Sequence, residues 1–253
     1  KDLRIPRELP GIDFNEQGQL DIIKKLNYQH EFIDFVNNSS QQTDEKSFDI
    51  YNKSFASGDA EFLFNFIRYI KPNKVIEIGC GTSTKIIQNA LTINAKDNNS
   101  MSTHICIEPY EQSWLESFPN INLVREKVEN LDMTIFQSLE DGDLLFIDST
   151  HMIRPQGDVL HEYLSIIPSL QEGVYVHVHD IFSPRDYLDA WVKDDVKFWN
   201  EQYLLEALLS GNKNLEVVAA LNFLKHKHFD KLKSVCTYLT PEREPGSFYF
   251  KTN

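Results

Sequence analysis

The run Lys74-Val75-Ile76-Glu77-Ile78-Gly79-Cys80-Gly81-Thr82-Ser83-Thr84 constrains the fold of this chain more than any other. A short apolar stretch reads as a buried strand. It carries an acid, ends in Gly-x-Gly and small hydroxyl residues, and leads into the apolar helix start Ile86-Ile87. A strand turning through glycines into a helix lets a ligand approach bare backbone at a positive helix N-terminus. A dinucleotide site would want a third glycine and an acid about 20 residues on. Here Thr84 takes the third glycine position, and the next acid closing an apolar run, Glu108, lies further away. A carboxylate at Glu77 would repel a pyrophosphate and favour a ligand bearing an ammonium and a sulfonium. The plain alternative is a tight strand-to-helix turn with no ligand.

Around this segment, strands alternate with helices from Lys74 onward. Strands are predicted at Lys74–Ile78, His104–Glu108, Ile121–Val124, Leu144–Asp148, Val174–His179, Glu216–Leu221 and Phe248–Lys251. Helices are predicted around Ile86–Leu91, Glu111–Phe118, Asp132–Ser138, Val159–Leu170 and Tyr203–Leu209. The alternation argues for an α/β doubly wound sheet of seven strands, mostly parallel. No helix is predicted in Lys225–Pro245, so the last two strands read as a late antiparallel hairpin. Residues 1–56 form an N-terminal helical appendage, with one helical pattern through Leu20, Ile23, Leu26, Phe32, Phe35 and Val36 and a loop over Asn37–Thr43. A second helix runs from Gly58-Asp59 to Ile70 and stops at Lys71-Pro72-Asn73.

At 41% hydrophobic residues, the 253-residue chain can bury a sizeable core. A net charge of −13 opposes nucleic acid and anionic membrane as partners. No apolar window is long enough to span a bilayer and no signal-peptide pattern is visible, so a cytoplasmic location is expected. Cys80, Cys106 and Cys236 read as reduced, buried thiols. Self-association into a homo-oligomer is left open.

With its acid-x-Gly-x-Gly motif, the chain resembles the class I S-adenosylmethionine-dependent methyltransferases over residues 57–253. The resemblance implies that Glu77 attracts the methionine ammonium. It places Gly79, Cys80, Gly81, Ser83 and Thr84 around the methionine carboxylate, and gives Glu108 the ribose hydroxyls. Val128 and Glu129, after the third strand, border the adenine. The strand ends Asp148-Ser149-Thr150-His151 and His177-Val178-His179-Asp180 resemble those of the cation-dependent O-methyltransferases. That likeness implies a divalent cation, Mg²⁺ or a transition metal, on Asp148, His179 and Asp180, and His151 as general base. Two departures stand out: His179 replaces a carboxylate ligand and His151 replaces a lysine. Imidazole suits transition metals better than Mg²⁺. His177 reads as a core histidine. The aromatic insert Phe182, Tyr187, Trp191, Phe198, Trp199 and Tyr203 reads equally as a packed helix or a lid over the acceptor.

The resulting expectation is methyl transfer from S-adenosylmethionine to a hydroxyl of a small specialised-metabolite or sugar-like acceptor. One alternative is a metal-dependent oxygenase-like enzyme using His151, His179 and a carboxylate. The other is a non-catalytic cofactor-binding subunit.

Overall fold

The computed structural model describes residues 2–41, 45, 47–110 and 112–253. The predicted loop residues Gln42 and Thr43, and the predicted helix start Glu111, lie outside the described residues. The strands are β1 Lys74–Ile78, β2 Thr103–Ile107, β3 Asn122–Val124, β4 Leu144–Ile147, β5 Tyr175–Val178, β6 Leu215–Ala220 and β7 Phe248–Thr252. They form one sheet in the order β3-β2-β1-β4-β5-β7-β6. The first five strands pair in parallel, and β7 runs antiparallel between β5 and β6. This is a seven-stranded, mostly parallel sheet with an antiparallel end, the architecture that the resemblance implied. β1 lies between β2 and β4, so the glycine loop leaves from the middle of the sheet, where the strand order reverses and ligand sites form.

Strand periodicity sorts the two faces. Ile76, Ile78, Leu145, Ile147, Val176 and Val178 enter one core layer. Val75, Leu144 and Phe146 face the other way, against α3 Asp59–Ile70 and α4 Thr82–Asn98. Glu77 lies two residues after Val75 and therefore points to this second face, beneath the start of α4.

Several elements differ from the sequence reading. The single N-terminal pattern is two helices, α1 Glu16–Lys25 and α2 Gln29–Ser39. The Asn65 side-chain oxygen accepts from the Tyr28 N–H and fixes the break. The helix predicted over Glu111–Phe118 is a 3₁₀ turn, Ser113–Ser117, and the one over Asp132–Ser138 is a single turn, α5 Thr134–Gln137. The long helix at Val159–Leu170 is α6 Asp158–His161 and α7 Ile167–Ser169 joined by a π segment, Glu162–Ile166. The connection before β7 contains α10 Leu221–Lys227 and α11 Phe229–Lys233, so β6 and β7 pair antiparallel without forming a simple hairpin. Short helices of this kind are stabilised by tertiary contacts more than by local pattern; Leu224 and Leu232 are both buried. The aromatic insert includes α8 Asp189–Lys193 and leads into α9 Glu201–Leu209.

Residues 1–56 share the core. Phe32, Phe48 and Phe55 pack with Phe64 and Ile86, while Ile23 and Leu26 pack with Phe62 and Leu221. No helix among the described residues is long and apolar enough to cross a membrane.

Candidate active site

A cavity of about 830 Å³ opens beyond the C-terminal ends of β1, β2 and β4. Its size suits a nucleoside-type ligand. Gly79, Cys80, Gly81 and Ser83 form one wall, and Glu108, Val128 and Glu129 form another. Asp148 lines its inner end. Gly79 has no alternative here: its φ is +79°, and a Cβ would sit 1.9 Å from the Asp148 carbonyl oxygen. The glycine loop and the β4 end are thus in backbone contact.

Glu77 and Thr84 are the cofactor residues that the structure moves. Glu77 is fully buried on the α4 face, outside the cavity lining. Ser83 Oγ donates to its Oε1 at 2.6 Å, and Thr84 Oγ1 to its Oε2 at 2.9 Å. His104 Nε2 stands 3.0 Å from Oε2. Glu77 thus holds the first turn of α4 beneath the loop, with both carboxylate oxygens engaged by the protein. Ser83 reaches the cavity wall with its hydroxyl committed to Glu77. Thr84 is buried, and its Oγ1 also accepts from the Gly81 N–H at 3.1 Å. Donors left for an anion at this helix start are backbone N–H groups and the Thr82 and Ser54 hydroxyls, which line the cavity 3.1 Å apart.

At Asp148, the one of the four that lines the cavity, four side chains from two strand ends converge. His151 and Asp180 both have left-handed backbones, with φ of 59° and 58°. Such conformations persist in non-glycine residues only where the surroundings impose them. His151 Nε2 lies 3.2 Å from Asp148 Oδ1 and 3.5 Å from Asp180 Oδ2. His179 Nδ1 lies 3.3 Å from Asp148 Oδ1 and 3.6 Å from Asp180 Oδ1. Asp148, His151 and Asp180 each offer a ligand atom within 4.8 Å of the others. The predicted trio Asp148, His179 and Asp180 is therefore brought together, and His151 joins it.

The charges explain one another. Burial pushes the Asp148 carboxyl up, yet His179 and His151 outweigh it and hold the group well below the carboxylate range. Burial dominates at Asp180 and raises it. Burial would push His151 down, but Asp148, Glu201 and Asp180 carry it up to about 10. In this arrangement Nε2 faces two carboxylates.

Sequence reasoning missed four participants. Glu201, on α9, accepts from His151 Nδ1 at 2.8 Å and from the Tyr163 hydroxyl at 3.0 Å. Phe55 lines the cavity and packs on the His179 ring at 4.7 Å, and Ser54 beside it also lines the cavity. Asp59 Oδ2 lies 3.9 Å from His179 Nε2. None falls in a strand-end motif, so only an acidic helix start at Asp59 and at Glu201 was there to be read. His177 is the core histidine expected, stacked on Phe146 at 4.1 Å with Nε2 3.0 Å from Ser247 Oγ. Of the aromatic insert, Trp199 lies over His151 at 4.3 Å, whereas Phe198 is exposed.

Residues 76–181 match the family model described as a methyltransferase domain. An uncharacterised protein of Archaeoglobus fulgidus is 30% identical over 148 residues, covering 55% of this chain and 63% of that protein. The match therefore spans less than two thirds of that relative. An O-methyltransferase of Bacillus cereus, solved with S-adenosylhomocysteine, is 11% identical, with a TM-score of 0.44 over 97% of this chain and 100% of its own. A methyltransferase-like structure from Thermobifida fusca is 10% identical, with a TM-score of 0.46 over 95% of this chain and 86% of its own. The family match spans β1 to the residues just after β5, the parallel part of the sheet that carries the glycine loop and the carboxylate–imidazole cluster.

Proposed function

We propose that this methyltransferase domain transfers the methyl group of S-adenosylmethionine to a hydroxyl of a small acceptor, such as a specialised metabolite or sugar-like compound, with the help of a divalent cation. One observation carries the reading. Asp148 belongs both to the cavity walled by the glycine loop and Glu108 and to the carboxylate–imidazole cluster. Cofactor and acceptor would meet at that residue. The bound cofactor supplies an electrophilic methyl carbon, so the protein has to align the acceptor and help remove its proton.

In this proposal Glu108 accepts the ribose hydroxyls and the α4 N-terminus holds the methionine carboxylate. Val128 packs on the adenine and Glu129 accepts from its amino group. The donor set of the cluster fits a cation, because Asp148, His151 and Asp180 each bring a ligand atom within 4.8 Å of the others and His179 Nδ1 lies 3.3 Å from Asp148. Asp148, Asp180 and His179 would hold it, and it would lower the acceptor hydroxyl's pKa. Asp148 and Asp180 would then orient the acceptor oxygen, while Trp199 and Phe55 exclude water.

Calorimetry with S-adenosylhomocysteine and with NAD tests the cofactor, and mass spectrometry of a hydroxyl-bearing acceptor panel tests the reaction. S-adenosylhomocysteine should bind in the micromolar range and NAD should not. Methylation should fall on chelation and return with a divalent ion. NAD binding without S-adenosylhomocysteine binding sinks the proposal.

A further inference from the structure

Two classes of distance surround the paired histidines. On its outer side His151 Nδ1 is 2.8 Å from Glu201, an ordinary charge-assisted hydrogen bond. The four inner contacts, from His151 Nε2 and His179 Nδ1 to Asp148 and Asp180, run from 3.2 to 3.6 Å. Direct imidazolium–carboxylate bonds run at about 2.7–2.9 Å. The inner contacts are too long for that class. Asp148, His151 and Asp180 each bring one ligand atom within 4.8 Å of the others, close enough to share one ion, and His179 stands beside them against the other Asp180 oxygen.

We infer that His151 and His179 are paired nitrogen ligands, with Asp148 and Asp180, of a single transition-metal ion, and that Glu201 is the positioning residue that aims His151 at it. The inference rests on the reading that a cation sits at this cluster. It goes further in giving His151 to the ion and in excluding Mg²⁺ as the preferred occupant. Glu201 accepts the Nδ1 proton and so leaves the Nε2 lone pair facing inward, the arrangement that metal-bound histidines share. Glu201 is itself fully buried and anchored by the Tyr163 hydroxyl. Asp59 stands on the outer side of His179, 3.9 Å from Nε2, in the corresponding place. Two imidazoles favour Mn²⁺, Fe²⁺, Co²⁺, Ni²⁺ or Zn²⁺, whereas Mg²⁺ prefers an oxygen shell and retained water.

Co²⁺ is a suitable probe, because its visible absorption reports coordination without any turnover. The full chain, stripped with a chelator, is titrated with Co²⁺ and then challenged with Mg²⁺. Co²⁺ should bind at least about 100-fold more tightly than Mg²⁺. Glu201→Gln should weaken Co²⁺ binding about 10–100-fold while S-adenosylhomocysteine affinity stays within twofold. His151→Gln should shift the Co²⁺ spectrum and weaken binding at least as much. A melting curve on each variant shows that it is folded. The inference is overturned if Mg²⁺ displaces Co²⁺ at comparable concentration, or if folded His151→Gln binds Co²⁺ with the wild-type spectrum. S-adenosylhomocysteine binding with no Co²⁺ binding would sink this inference and leave the cofactor reading standing. The reverse result would do the opposite.

Discussion

At the residue scale, a loop this tight tolerates little change. Gly79→Ala would force a Cβ into the Asp148 carbonyl and demand a left-handed alanine. It should lower the melting temperature and abolish S-adenosylhomocysteine binding, whereas Gly81→Ala, with nothing within 4 Å of a built Cβ, should still fold. A folded Gly79→Ala protein with normal cofactor affinity would contradict the described loop contact. Glu108→Ala should cost about 1–3 kcal/mol of S-adenosylhomocysteine binding, read by calorimetry, the scale for lost hydrogen bonds to a charged group. His104 gives a pH dependence. Burial pushes its imidazole down, but Cys106 Sγ at 3.4 Å and the Glu77 carboxylate at 3.0 Å raise it to about 10. A raised folded-state pKa means that this stabilisation is fully present below the ordinary histidine value of 6.5 and is lost as pH rises through about 10. Denaturant melts should therefore show stability falling between those values, with a shallower fall in His104→Gln. An identical slope in the variant would remove His104 from the account.

At the element scale, the start of α3 ties the helix to the approach to β7. Asp59 is fully buried; its Oδ1 accepts from the Gly246 and Ser247 N–H groups and its Oδ2 from Arg243. Burial raises its carboxyl, but His179 and Arg243 overcome that and keep it ionised. Asp59→Ala would strand a partly buried guanidinium and two amide donors. Urea unfolding should report a loss of about 3–5 kcal/mol, the range for removing one partner of a buried charge pair. A loss under 1 kcal/mol would mean that the helix start is held by packing alone. The π segment Glu162–Ile166 is the other irregular element near the site. Glu162 Oε2 accepts from Ser149 Oγ at 3.0 Å, so the bulge places a buried carboxyl under the β4 loop.

For the whole molecule, cofactor binding and stability are linked. A ligand that binds only the folded chain stabilises it by about 2.7 kcal/mol at 100 times its dissociation constant. S-adenosylhomocysteine should accordingly raise the melting temperature in proportion to the logarithm of its concentration. The N-terminal segment should take part in this response, because Phe55 belongs to both the shared core and the cavity wall. Phe55→Ala should destabilise the protein by about 3–5 kcal/mol in urea melts. Wild-type stability in that variant would show that the segment merely rests against the sheet.

The strands and the glycine loop were legible in the sequence because each rests on a short-range pattern: an apolar run, a glycine pair, an acid at a strand end. Glu108 and Asp148 reach the cavity for the same reason, since a parallel strand delivers its last residues to one edge, whereas Val128 and Glu129, which only the resemblance pointed to, reach it from a 3₁₀ turn after β3. Glu77 was legible in position but not in role. Its parity with Val75 puts it under α4, and that matters only once a helix covers that face. The helices before β7 and the break between α1 and α2 were hidden because tertiary contacts decide them. Glu201, Asp59 and Phe55 come from distant segments, and only the packed chain brings them to His151 and His179. The local sequence thus determined which chemistry stands at each strand end. Tertiary structure alone decided how His151 is aimed, because that depends on Glu201 and Asp180, which no local spacing relates to it.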